Sequence, residues 1–484
     1  MTIHRQAFDG LIPGAITAIG VAVAATALLC APTGLTAQSH TPGELHEPHI
    51  LAAADFGIDP SAVTFTKDIA PILQRSCQKC HRADGAAPMP LVSYEDVRPW
   101  VRSIKNRTTN RQMPPWFIDK NIGIQRYKDD PSLSDEEVAA IAWWARNGTP
   151  EGDAADMPPA LVFDEAVGWR LGEPDLIVST PEMLVKGDAP DWWGGIESVE
   201  IPGLTEDRYV ASVEIREINN VKEQGGRDRE TVGGLYVFHH LLFSTRAPGQ
   251  RPTTWPVHEV GRNPDIFDKD SGRLLRAGST LESNSIHLHS NGQDTRGHLE
   301  IGFKFHPVGY APKYREAPYI VANGADIDIR PEEKDQELHA YTVLQQHTKI
   351  VTFEPHLHAP GDRMCLEAIW GFNVETLVCS GYDHNWVRGY AFADNYHPLL
   401  PKGTILHITG FMDNTAANRN IPDPRNWQGA GNRSVANMFI DLGMKLTMND
   451  EQFVEEMAAR REALQLGVND HVVGCPLCMV IPGN

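Results

Sequence analysis

Short runs of alternating apolar and polar residues fill the chain from Glu173 onward. Tyr209-Val210-Ala211-Ser212-Val213-Glu214-Ile215 has period two, and so does Leu299-Glu300-Ile301-Gly302-Phe303-Lys304-Phe305. Lys349 to Phe353, Thr376-Leu377-Val378 and Thr404 to Ile408 continue the pattern, with Gly, Pro, Asn and Asp between the runs. This periodicity predicts half-buried strands, and their number predicts two all-β sandwiches. We divide them near 325–345, where Ala325-Asp326-Ile327 and Pro331-Glu332-Glu333-Lys334 interrupt the alternation, giving 165–325 and 340–470. Helical spacing appears before this region. Ser134-Asp135-Glu136-Glu137 reads as a capping box opening an amphipathic helix through Val138, Ile141, Ala142 and Ala145 to Gly148. It closes a small all-α unit over 60–152, and the Pro/Gly/Asp-rich stretch Pro150 to Pro159 reads as a linker. A second helical pattern covers Asp450 to Leu466, and residues 471–484 form a cysteine-containing tail.

The first residues follow another pattern. Gly10 to Ala31 is apolar, rich in small residues and free of charge, with Arg5 before it and possible cleavage after Ala31 or Ala37. This predicts a signal peptide over 1–37 and a periplasmic or secreted protein starting near Gln38; an uncleaved anchor is the alternative. Of 484 residues 41% are apolar and 22% charged, which excludes wholesale disorder and a polytopic membrane protein. Asp and Glu outnumber Lys and Arg by 63 to 43, a net charge of −20 that argues against nucleic acid or an anionic membrane surface as partner. The 20 histidines, several in pairs, are the first hint of metal.

Cys77-Gln78-Lys79-Cys80-His81 is the strongest motif. Two thiols at this spacing add to the vinyl groups of one covalent haem c, and the adjoining His81 reaches the iron. Met113, in Arg-Gln-Met-Pro-Pro-Trp, resembles the distal ligand of bacterial c-type domains; Met89 is the other candidate. The 60–152 unit is thus expected to be a c-type cytochrome domain. Cys365 and Cys379 flank a Gly371-Phe372-Asn373 turn and are expected to form a disulfide. Cys475 and Cys478 read as a tight disulfide, a redox pair or a copper-acquiring pair.

Four further signals fall on predicted strands: Phe238-His239-His240-Leu241, Ile286-His287-Leu288-His289, Glu354-Pro355-His356-Leu357-His358 and Asn437-Met438-Phe439-Ile440. Imidazole with thioether favours copper. His356 and His358 share one face of a strand. Adjacent His239 and His240 point to opposite faces, so they share a metal only through a bulge or an unusual ring geometry.

This order of motifs resembles the copper type II, ascorbate-dependent monooxygenases, the family of peptidylglycine α-hydroxylating and dopamine β-monooxygenases, in a bacterial form fused behind a c-type haem domain. Pro174-Asp175-Leu176-Ile177, Gly203 to Arg208, Asp413-Asn414-Thr415 and Asn418 to Pro424 add to the likeness, which spans roughly 170–450. The resemblance implies two jelly-roll domains with two coppers facing each other across a solvent cleft. It implies His239, His240 and His287 on the first copper, with His289 as rival for the third place. It implies His356, His358 and Met438 as the catalytic second copper, with Met412 as rival. Dioxygen and a small-molecule substrate are the implied partners, with electrons from an ascorbate-like reductant or a periplasmic redox protein entering through the haem. A haem/copper electron-transfer or copper-handling protein is the alternative. The family's substrate-gripping Arg corresponds to Glu354, and Ile440 and Leu442 stand where peptide-hydroxylating members carry Asn and Tyr. The expected substrate is therefore less anionic than a glycine-extended peptide.

Overall fold

The computed structural model describes residues 56–59, 61–83, 85, 87, 89–163, 169–221, 234–433 and 436–478. The signal peptide read in residues 1–37 lies outside them. Among the described residues no helix is long and apolar enough to cross a membrane. The fold is mostly β-sheet with few helices.

The helical unit runs from a π-turn at Phe65–Ile69 into the helix Ala70–Ser76, then through Tyr94–Val97 and Val101–Thr109 to Asp135–Arg146. Ser134 caps the last helix reciprocally with Glu137. Phe65, Leu73, Ile104, Ile141 and Trp144 form its core. Pro150 returns to this core, its carbonyl accepting from Phe65 N and Trp144 Nε1. The stretch expected to be a linker is thus packed where it begins.

The first sandwich faces a six-stranded sheet against a five-stranded one. Thr295–Phe305 and Arg208–Asn219 are the long central pair of one sheet. Thr280–Leu288 lies between Trp192–Glu200 and Phe238–Arg246 in the other. Val210, Phe238, Leu241, Ile286, Leu299 and Phe303 fill the space between them.

The second sandwich carries the four-stranded sheet Gln336–Val343, Ile405–Met412, Gly361–Trp370 and Asn373–Gly381, with shorter sheets opposite. Cys365 and Cys379 are register partners joined by a disulfide, and Cys475 and Cys478 form a second one. Two expected boundaries need correction. Arg315–Pro318 and Val321–Ala322 pair with Met444–Met448 and Phe439–Asp441. The second sandwich therefore begins ahead of Arg315, because strands too short to show alternation complete its edges. The described part of the cysteine-containing tail, residues 471–478, packs on this sandwich. Cys475 and Cys478 are buried with Leu399 and Leu446, and Leu399 N donates to the Gly474 carbonyl.

The loop after Met113 clamps the helical unit to the second sandwich. Ile118 and Tyr127 form bridges with Ser380 and Phe392, and Trp116 packs edge-on against Tyr390 at 4.9 Å. The two sandwiches are stitched by buried ion pairs: Arg262 with Glu354, Arg273 with Glu316 at 3.6 Å, and Lys349 with Asp268 at 3.3 Å. Desolvation makes such pairs modest contributors to stability but severe penalties when half-broken. They fix how the sandwiches face each other.

Candidate metal centre

The strand Phe238–Arg246 brings His239 and His240 to that junction. Its register with Thr280–Leu288 pairs His287 with His240 and then Leu288 with Phe238, so His239 is an extra residue on one side. This is a β-bulge, and it turns both adjacent imidazoles inward. Both are buried, with ring centroids 5.6 Å apart. Glu217 fixes the start of the strand by accepting from Val237 N at 2.9 Å and Phe238 N at 3.0 Å. Burial pushes its carboxyl up to about 7, against those hydrogen bonds.

From the second sandwich, His356 is the central residue of the strand Pro355–Leu357 and His358 follows it. A seventh imidazole, His384, comes from the loop after Asn373–Gly381. The seven rings form a closed circuit. In order, His289 to His239 is 4.2 Å between centroids, His239 to His384 4.9 Å, His384 to His358 6.1 Å and His358 to His356 5.5 Å. The circuit closes from His356 to His240 at 5.8 Å, His240 to His287 at 4.9 Å and His287 to His289 at 4.6 Å. None of the seven is more than 7% exposed. The solvent cleft that the resemblance implies is therefore closed here, with imidazoles of both sandwiches in one cluster.

His239, His287 and His289 form the tightest group, their nearest ligand atoms all within 4.8 Å of one another. The structure thus brings His287 and His289 together on one face, while His240 faces His287 and His356. Met438 directly precedes the strand Phe439–Asp441, whose Phe439 pairs with Leu357. Met438 and His358 therefore lie at the same end of that strand pair. Met438 is half-buried and outside the apolar clusters, whereas Met412 is fully buried in the sandwich core, where Asn437 Nδ2 donates to its sulfur at 3.9 Å.

Burial, reinforced by the neighbouring rings, holds His239, His240 and His384 well below the usual imidazole range and pushes His358 down to about 3. These rings are neutral at pH 7, the form that binds metal. Both ring nitrogens of His240 and His384, and Nδ1 of His287, lack hydrogen-bond partners. An unsatisfied buried polar group costs about 1–3 kcal/mol. A metal relieves that penalty, so the donor set fits one.

Two carboxylates that the sequence did not single out flank the cluster. Asp191 bonds His287 Nε2 and lies 3.4 Å from His289 Nε2. Glu259, register partner of His240, meets His356 Nδ1 at 2.5 Å across the junction. Carboxylate–imidazole pairs of this kind orient metal-binding rings. Trp193 packs against His240 and His287. Glu354 requires a correction. It is 1% exposed and held by Arg262, so it presents no charge to a substrate, and the reading of substrate charge from this position falls.

At the helical unit, Cys77, Cys80 and His81 occupy the turn after Ala70–Ser76. His81 Nδ1 lies 3.1 Å from the Met89 carbonyl, an acceptor that leaves Nε2 as the free nitrogen. Burial pushes the Cys77 thiol up to about 12. Met89 packs on the helical core, while Met113 is 41% exposed. These positions fit a haem attached at Cys77 and Cys80, with His81 on one side. No family model and no characterised protein matches this sequence.

Proposed function

We propose that this chain is an exported copper-dependent monooxygenase that hydroxylates a small organic substrate, with electrons entering through a covalent haem c. The balance is R–H, O2, two electrons and two protons giving R–OH and water. The buried circuit of seven imidazoles, with Met438 beside it, carries the reading. A dry, thioether-flanked cluster suits copper better than the harder divalent cations. Copper held there supplies one-electron chemistry and dioxygen activation. The chain's residues divide the remaining work. His356, His358 and Met438 hold the position assigned to dioxygen chemistry, and His239, His240, His287 and His289 surround the electron-storing one. Glu259 and Asp191 orient the imidazoles, and burial excludes water. Cys77, Cys80, His81 and Met113 would hold the haem, in a unit clamped to the second sandwich by the loop after Met113.

The burial of all seven rings favours a second reading, a haem/copper electron-transfer or copper-handling protein whose metals never meet a substrate. One experiment separates the two. Metal-loaded protein is reduced anaerobically and given a pulse of O2, while haem absorbance, copper EPR and O2 uptake are recorded together. Two coppers per chain, with O2 consumption lost in His356→Ala and Met438→Ala, are expected for the monooxygenase. Copper that cycles with the haem but ignores O2 would leave the electron-transfer reading in its place.

A further inference from the structure

We propose that His384 is a metal ligand, supplied by the second sandwich to the His239, His287 and His289 group of the first, so that one ion staples the two sandwiches together. The inference rests on the reading that this cluster holds metal. It adds a fourth imidazole that none of the paired-histidine motifs contains.

The loop carrying His384 is pressed onto the first sandwich. Val387 N donates to the Val260 carbonyl at 3.2 Å. Gly261 has φ 95°, and a β-carbon there would lie 2.6 Å from the Trp386 ring. Asp383 Oδ1 accepts from Asn385 N at 2.9 Å and Trp386 N donates to the Asp383 carbonyl at 3.0 Å, so Asp383 holds the turn through its side chain and its backbone. His384 is aimed inward from this turn, 5% exposed, with neither ring nitrogen bonded. If the position only needed filling, an apolar side chain would do so without stranding two polar atoms.

The spacing supports ligation. Nitrogens about 2.0 Å from a tetrahedral ion put imidazole centroids about 5 Å apart. His384 lies 4.9 Å from His239, while His239 to His287 is 5.1 Å and His287 to His289 is 4.6 Å. His384 stands 6.3 Å from His289, beyond that spacing, so its ring must swing inward to complete the shell. Four imidazoles close the coordination shell. A closed N4 shell takes Cu(I), Cu(II), Zn(II) or Co(II) and leaves no position for a substrate, which suits an ion that stores an electron or holds the junction.

Co(II) is the probe, because its visible ligand-field bands are strongest in four-coordinate sites. The full chain, stripped with chelator, is titrated with Co(II) alongside His384→Leu, His384→Asn and His239→Leu. Wild type is expected to bind with intense bands and to gain thermal stability with metal. His384→Leu is expected to lose at least tenfold in affinity and most of the band intensity, while its metal-free form melts no lower than metal-free wild type. His384→Asn guards against a packing artefact by keeping a polar side chain, and it should show the same loss. Binding by both His384 variants with the wild-type spectrum and affinity, lost only in His239→Leu, would overturn the His384 ligand and leave the copper reading standing. No Co(II) or copper binding by wild type would overturn both.

Discussion

Arg262→Met should destabilise the metal-free protein by about 3–5 kcal/mol, the range for stranding one partner of a buried ion pair. Arg262 and Glu354 have side chains 6% and 1% exposed. The same guanidinium forks onto Asp265, through Nε at 3.1 Å and Nη2 at 2.8 Å. At an effective dielectric of about 20, unit charges about 4 Å apart attract by about 4 kcal/mol, so losing the cation leaves two carboxylates close together with nothing between them. Asp265, 15% exposed, can draw on water, whereas Glu354 cannot. Most of the loss should therefore disappear when Glu354 is neutralised as well. Arg262→Met with Glu354→Gln is expected to recover about 2–3 kcal/mol relative to Arg262→Met alone, appearing as a coupling energy in the double-mutant cycle. Urea is the denaturant of choice, because guanidinium salt would screen the pair. Tryptophan fluorescence and far-UV circular dichroism must give coincident transitions, since three packed units need not unfold as one. A cost below about 1 kcal/mol for Arg262→Met, or a coupling energy near zero, would refute the view that this pair is sealed from water and fixes the junction.

Glu259→Gln should weaken copper binding at His356 by about 10–100-fold, with little effect on the His239, His287 and His289 group, because the carboxylate orients one ring across the junction; isothermal titration of metal-free protein measures it. In metal-free protein, burial pushes His258 down to about 4. It is neutral in the fold but takes a proton on unfolding below pH 6.5, so its contribution is complete above 6.5 and drains as pH falls towards 4. Between pH 8 and 4.5 the stability difference should shift by about 3 kcal/mol in favour of His258→Gln, measured by urea unfolding at both pH values. If the proposed haem is bound, Met113→Ala should turn it from low to high spin by EPR, whereas Met89→Ala should not, since the Met89 carbonyl accepts from His81 and its side chain packs on the helical core. The opposite pattern would assign the distal position to Met89.

Much of the β architecture was legible because alternation is a local property. The runs around Tyr209, Leu299 and Thr376 all became strands, and around Leu299 every second side chain, Leu299, Ile301 and Phe303, lies in a core. Local pattern gives no information on which short edge segment closes which sheet. Arg315–Pro318 has too few residues to alternate, and its partner Met444–Met448 lies more than a hundred residues away in sequence. The boundary drawn from the interruption at 325 therefore came too late.

At the candidate site the paired histidines were visible, and what the sequence withheld is how two surfaces meet. Adjacent His239 and His240 point to opposite faces of a regular strand, and the bulge that turns both rings inward is set by a partner strand some 45 residues further on. Glu259 reads as an ordinary acid at a strand end, and its meaning comes from His356 on the other sandwich. His384 stands alone in Tyr382-Asp383-His384-Asn385-Trp386, where a single histidine is ordinarily an edge residue. The left-handed Gly261 turn that admits Trp386 is one feature of the docking that brings it in. Each of the three depends on a contact across elements distant in sequence. The Arg262 cycle and the His384 titration thus probe the same junction from its two ends, one through charge and one through metal. If the junction is as tight as the ion pairs imply, breaking Arg262–Glu354 should also weaken Co(II) binding at His239, although neither residue touches that ring in the circuit.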